Sequence, residues 1–312
     1  MLGTISSTLV PVAFVILAGY VAGCLKDFRV ADRASMTRLV LTWLLPPLLL
    51  AGILKTPRAD LLDYRVPLIF LVGLAVPYLA ALLVCRFVFR YDRSKATIRA
   101  SLWAFPDMVF MGIPVLGQLF GPSSLYPILI ANLVPSLIII PLDTVLLELD
   151  SKPHRRGAVS VLLGTVGPVL REPKVWIPFL GAALVVGDVG VPQAIIDSLY
   201  LIGGATTGLS LFIVGLIISE EKIRLNVSVA LDVVLKNLVH PAAMLTTVVA
   251  FGVTGVLARE AILLAAIPSA VITSMFAEDY RTLASESSTA VLATRVAAFA
   301  TIPIVIALTR HM

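Results

Sequence analysis

Three charged side chains stand in apolar surroundings where the chain offers them no water: Asp107, Asp143 and Arg295. Asp107 belongs to "AFPDMVFMGIPVLGQLFG", residues 104–121, a stretch long enough to cross a bilayer that still carries Pro106, Gly112, Pro114, Gly117 and Gly121. An ionisable group deep in hydrocarbon costs from about 2.5 to more than about 10 kcal/mol, so it marks a function or demands a partner. Arg295 is suited to meet a carboxylate solute by charge-assisted hydrogen bonds. Asp107 and Asp143 are candidates to bind a coupling ion. The competing reading is an ion pair between Arg295 and one of the acids that never meets a solute, and both readings stay open. Asn132 and Ser136 precede Asp143 by eleven and seven residues. At 100° per residue the three fall within about 40° of one helix face, a candidate polar stripe. Ser269, Thr273 and Ser274 follow Pro268 and are placed to line a second break, with back-bonding to helix carbonyls as the alternative. The histidines at 154, 240 and 311 are too scattered for a metal site, and no catalytic motif is present. Neither enzymatic chemistry nor a cofactor is therefore expected, an intramembrane enzyme being the less favoured alternative, and His240 reads as a packing or interface residue rather than a proton relay.

The elements that must hold these groups follow from composition. The chain is 59% hydrophobic and 14% charged with mean hydropathy +1.00, against about 25% charged in a soluble domain. A soluble core of 312 residues has no room to hide that much apolar surface, so the fold class is an all-α polytopic membrane protein. The net charge of +5 is then a matter of loop position and gives no reason to expect nucleic acid as a partner. Apolar runs at 4–24, 35–54, 66–89, 97–120, 123–148, 174–190, 194–219, 230–254, 260–277 and 283–309 predict ten transmembrane helices. The first is long enough to span and lacks a basic flank before it, so it reads as a retained helix and not as a cleaved signal. Seventeen of the 24 Lys and Arg residues fall in the loops after odd-numbered spans or their flanks, Arg99 among them. The positive-inside rule then puts both termini on the outer face. Cys24 and Cys85 fall on the cytoplasmic side and read as free thiols.

The linker 150–173 divides the spans into two sets of five, residues 1–149 and 174–312. An odd number of helices per half makes the halves antiparallel, the arithmetic of an inverted repeat. Apolar residues at 159, 161–163, 166 and 169–170 suit either a short amphipathic helix or a solvated connector. The fourth and ninth spans each hold a mid-span Ile-Pro, at Pro114 and Pro268. Proline costs about 3 kcal/mol inside a helix, and freed backbone groups in a membrane are tolerated only inside protein or beside a wet cavity. Paired breaks in two inverted halves point to a transporter's substrate site.

Four stretches carry a family resemblance in order: "FPDMVFMGIPVLGQLFG", "LREPKVWIPFLGAALVVG", "LSLFIVGLII" and "AIPSAVITSMFAEDY". Together they resemble the auxin efflux carrier family, which includes malonate transporters and is related to the plant PIN-FORMED carriers. The resemblance runs along nearly the whole chain. It implies a sodium/bile-acid symporter-like fold in which helices 4 and 9 cross at their prolines, with Gly112 and Pro114 as crossover residues. It also implies a dimeric scaffold of helices 1, 2, 6 and 7, a mobile unit of helices 3–5 and 8–10, and elevator-type transport of a small organic anion across the bacterial inner membrane. Coupling to a proton or to sodium stays open. Asp107 stands where the family has an asparagine, so an uncharged substrate-contacting amide is not carried over. A channel or sensor on the same fold is the alternative function.

Overall fold

The computed structural model describes residues 2–151, 158–220 and 226–312. Residues 152–157 of the expected linker, and Lys222 and Arg224, lie outside them. Helix α1 is Leu2–Cys24, α2 is Val30–Leu54 and α3 is Arg65–Val88. Next come α4, Arg93–Ala104, then α5 over 108–120 and α6 over 125–151, divided at Gly121, whose φ is +76°. Then follow α7, Ala158–Arg171, α8, Pro173–Val186, α9, Gln193–Glu220, and α10, Val227–Ala250. The chain closes with α11, Gly255–Ala266, α12, Val271–Asp279, and α13, Ala284–Leu308. Among the described residues there is no strand, only an isolated bridge between Pro106 and Ser269. Among the described residues six helical stretches are long and apolar enough to cross a membrane: Val30–Leu54, Arg65–Val88, Met108–Asp150, Gln193–Glu220, Val227–Ala250 and Ala284–Leu308. The stretch expected to span 174–190 stops being helical at Val186, ahead of Gly187 and a positive-φ Asp188. Residues 158–171, open between amphipathic helix and connector, form a helix.

Pro11, Pro77, Pro178 and Pro303 lie inside continuous helices; six other prolines act in one of two ways. Four π turns, Val40–Leu44, Met108–Gly112, Pro135–Ile139 and Leu235–Val239, each end two residues before a proline: Pro46, Pro114, Pro141 and Pro241. A proline offers no N–H to the carbonyl one turn back and crowds it. Widening the preceding turn to the i→i+5 pattern relieves that crowding without breaking the helix. Pro106 and Pro268 have no such turn before them, and at both the helix stops. The break in the fourth span therefore lies at residues 105–107 and not at Gly112–Pro114, where the sequence reading put it. Gly112 and Pro114 stay within the helical run 108–120.

The chain divides into two compact units. The first comprises Met1–Tyr64, Val109–Leu129 and Arg171–Glu221. Its centre is the pair α1 and α9, whose backbones meet at glycines: a Cβ on Gly19 would lie 2.1 Å from the Phe212 carbonyl oxygen, and one on Gly215 2.1 Å from that of Ile16. Small residues at such crossings let apolar helices pack closely in a membrane. Gly203 meets Leu48 of α2 in the same way, and Gly181 of α8 meets Ile53. Gly215→Ala is accordingly expected to force α1 from α9 and lower stability by about 1–3 kcal/mol. Gly208→Ala, with open space around it, should be neutral or slightly stabilising in the same thermal-shift measurement.

The second unit comprises Arg65–Met108, Ile130–Leu170 and Lys222–Met312. Its core is built on α4, buried from Ala96 to Ala104, with Tyr78 and Cys85 of α3, Ile139 and Leu147 of α6, Val229 of α10 and Ala290 and Val291 of α13. Helix α11 is buried from Glu260 to Ala266. Both helices are too enclosed to face lipid, and each ends inside this unit.

Candidate functional site

Proline dictates where the two enclosed helices stop. The residue before a proline is pushed out of the α region: Phe105 adopts φ −107°, ψ 98°, and Ile267 φ −60°, ψ 137°. The extended stretches that follow run side by side. Asp107 N–H donates to the Pro268 carbonyl at 2.9 Å, and Ala270 N–H donates to the Phe105 carbonyl at 2.9 Å. Each break thus satisfies backbone groups freed by the other, which a buried backbone requires. Side chains complete the set. The Leu102 carbonyl, which loses its helical donor because residue 106 is proline, accepts from Ser269 Oγ at 2.6 Å. Ser269 N–H reaches Thr294 Oγ1 of α13 at 3.3 Å.

Arg295 lies one residue beyond Thr294 and is 1% exposed. Its Nη2 donates to Asp107 Oδ2 at 2.7 Å. Its Nε and Nη1 are buried without a hydrogen-bond partner among the described residues. A guanidinium carries five N–H donors, and leaving a charged group's donors unmet in a protein interior is costly. The site thus presents positive hydrogen-bonding capacity beside the two breaks. Thr273 Oγ1 of α12 is likewise buried without a partner.

Asp143 of α6 is 1% exposed. It accepts from Tyr78 Oη of α3 at 2.6 Å and from Ser101 Oγ of α4. No cation pairs with it among the described residues, whereas Asp107 is held by Arg295. The polar stripe expected with Asn132 and Ser136 assumed an unbroken α-helix. The π turn Pro135–Ile139 inserts a residue between Asn132 and Asp143, turning the register by about 100°. The hydroxyls that Asp143 takes come from neighbouring helices instead. Asp107, Pro268, Ser269 and Arg295 are thus brought together, and Asp143 sits in a cluster of its own within the same unit. Gly112 and Pro114 belong to the first unit.

Two constellations escaped the sequence reading. Arg99 of α4 bonds Asp232 of α10 and Glu286 of α13, and Trp103 Nε1 donates to Asp232 Oδ1 at 2.7 Å. Arg99 had been counted among loop-flanking charges, yet it is 4% exposed. The available signal was Asp232, an acid with apolar neighbours in "NVSVALDVV". The second is Lys236, fully buried in the π turn of α10, which donates to the Ala265 carbonyl at 2.7 Å and lies 2.9 Å from His240 Nδ1. His240, expected as a packing or interface residue, is buried at 2% exposure beside Lys236.

A family model described as Membrane transport protein matches residues 4–306. The chain is 27% identical over 240 residues to the uncharacterized transporter YfdV of Escherichia coli strain K12, covering 76% of each. It is 31% identical over 139 residues to the probable auxin efflux carrier component 9 of Oryza sativa subsp. japonica, covering 42% of this chain and 33% of that one. A 34% identity over 107 residues relates it to the probable auxin efflux carrier component 5a of the same plant, covering 33% of this chain and 30% of that one.

Proposed function

The chain belongs to the membrane transport protein family, that of the auxin efflux carriers, and from that premise we propose that it is a secondary transporter of a small organic anion, a malonate- or auxin-like carboxylate. The observation that carries the substrate class is Arg295, buried beside the two helix breaks with Nε and Nη1 unmet among the described residues. A carboxylate supplies what those donors lack, by charge-assisted hydrogen bonds. Pro268, Ser269 and Thr273 line the same site in this reading, and Asp107 orients the guanidinium. Gly112 and Pro114 serve to continue the fourth span beyond its break.

The proposed architecture has ten spans in two inverted repeats crossing in the fourth and ninth. It is supported by equivalent Pro-centred breaks at Pro106 and Pro268 that exchange backbone hydrogen bonds. The first unit is the scaffold, part of a homodimer in the inner membrane with both termini outward. The second unit, which holds both breaks and Arg295, moves as the elevator. The grouping of α1, α2, α8 and α9 in one unit and α3, α4 and α10–α13 in the other supports that division, although 109–129, the far half of the fourth span and the start of the fifth, fall in the first unit.

Coupling in this reading is to protons through Asp143. A carboxyl bound only by hydroxyls gains or loses a proton without breaking an ion pair, which Asp107 cannot do while it holds Arg295. Asp143→Asn keeps an acceptor for Tyr78 and is expected to abolish acceleration of uptake by a pH gradient while leaving substrate counterflow intact. Gradient-driven uptake by that variant at the wild-type rate would assign coupling elsewhere. The function as a whole is tested by screening carboxylates and indole acids for uptake into proteoliposomes, with and without proton or sodium gradients. Saturable uptake supports the transporter; ohmic current without saturation would establish the channel reading in its place.

A further inference from the structure

Helix α11 ends inside the protein, and its last carbonyls need donors from elsewhere. The Leu263 and Leu264 carbonyls share the N–H of Ile267, at 3.1 and 3.3 Å. The Ala265 carbonyl would take the N–H of Ser269 if the helix continued, but that N–H turns to Thr294 Oγ1. The donor that replaces it is the Nζ of Lys236, at 2.7 Å. On α4 the carbonyl orphaned by Pro106, that of Leu102, is met by the neutral hydroxyl of Ser269. One broken helix end therefore receives a hydroxyl and the other an amine on a chain that is charged in water.

Lys236 is 0% exposed, and no carboxylate forms an ion pair with it among the described residues. Its other partner is the Nδ1 of His240 at 2.9 Å, which accepts in the tautomer that carries its proton on Nε2. What lies opposite the ammonium is the C-terminal end of α11, whose aligned peptide dipoles amount to about half a negative charge. Broken-helix carbonyls and half-helix C-terminal ends are where secondary transporters seat a dissociable coupling cation.

We propose that Lys236 is a tethered cation: its ammonium occupies the place at the broken end of α11 that a dissociable metal cation would take, so the transport cycle needs no alkali metal there. The inference rests on the transporter reading above. The charge travels with the second unit in both directions, and His240 acts as the positioning residue that holds it against the Ala265 carbonyl. Removing the ammonium uncovers a pocket of carbonyl and imidazole acceptors suited to a small monovalent cation.

The test is a thermal-shift series on purified full-length protein in chloride salts of sodium, lithium, potassium, methylammonium and choline at constant ionic strength, paired with uptake. Wild type should melt at one temperature in all five salts. Lys236→Ala should melt lower in choline and recover roughly 5 °C in a fitting small cation, the shift expected for a ligand at about 100 times its dissociation constant. Rescue by methylammonium, which restores the lost group itself, separates a positional charge from general packing. Lys236→Gln keeps an N–H for the Ala265 carbonyl without the charge, so it tests the idea even where the Ala variant does not fold; its uptake should fall at least about tenfold. A sodium-specific shift in wild type, or full uptake by Lys236→Gln in choline, overturns the proposal. The melting series needs no substrate, so it stands apart from any failure of the carboxylate assignment.

Discussion

Replacing Arg295 by Gln is expected to weaken binding of the transported carboxylate by at least about 30-fold. Truncating one member of a buried, hydrogen-bonded charge pair typically costs about 2–5 kcal/mol, and about 1.4 kcal/mol corresponds to a factor of ten. The single variant carries a second effect, because it leaves the Asp107 carboxylate buried at 4% exposure without its cation. Removing the ion-pair partner of a buried charge destabilises by about 3–5 kcal/mol, which by itself would depress uptake. The double variant Arg295→Gln, Asp107→Asn removes both charges and separates the two effects. If Arg295 meets the solute, the double variant regains thermal stability and still fails to bind carboxylate, measured by substrate-induced melting shifts. Recovery of both stability and affinity would reduce Arg295 to a structural partner of Asp107 and remove the basis of the anion assignment.

The second large effect lies at Arg99. Arg99→Met leaves Asp232, which is 1% exposed, with Trp103 Nε1 as its remaining hydrogen-bond donor among the described residues. The expected loss is again about 3–5 kcal/mol, a fall in apparent Tm of roughly 10 °C. Glu286→Gln should cost far less, since the Glu286 side chain is 39% exposed and an ion pair open to water contributes about 0–1 kcal/mol. Adding Asp232→Asn to Arg99→Met should recover most of the loss, because the stranded charge disappears while Oδ1 still accepts from Trp103. An Arg99→Met protein that melts no lower than Glu286→Gln would mean that the cluster is wet and does not hold α4, α10 and α13 together.

The difference between Pro106 and Pro114 shows how far local reasoning reaches. Both lie in one apolar stretch, and the sequence reading placed the break at the second because an Ile-Pro pair recurs at Pro268. This stretch shows two of the outcomes open to a proline, a widened turn and a stop. Which one occurs depends on whether another segment stands ready to take the freed backbone groups. Around Pro106 the 267–270 stretch is ready, through the Pro268 carbonyl and the Ala270 N–H. Around Pro114 the π turn Met108–Gly112 absorbs the missing donor within the helix itself. The polar stripe on α6 failed for the same reason, since a single inserted residue redirects every side chain after it.

Composition and hydropathy alone determined that this is a helical membrane protein and marked Asp107, Asp143 and Arg295 as anomalous charges, while Arg99, Asp232 and Lys236 went unmarked. Those properties are local: about twenty apolar residues specify a spanning helix, and a charge among them is costly wherever it points. The order of its motifs along the chain indicated its family. Tertiary structure decided the partners. Arg295 meets Asp107 across 188 residues and Arg99 meets Asp232 across 133, while Lys236 serves a carbonyl freed only because α11 stops at Ala266. Ion pairs and caps depend on distances of a few ångströms between segments remote in the chain. Hydropathy and helical periodicity carry no such distances, so only the packed helices could assign those contacts.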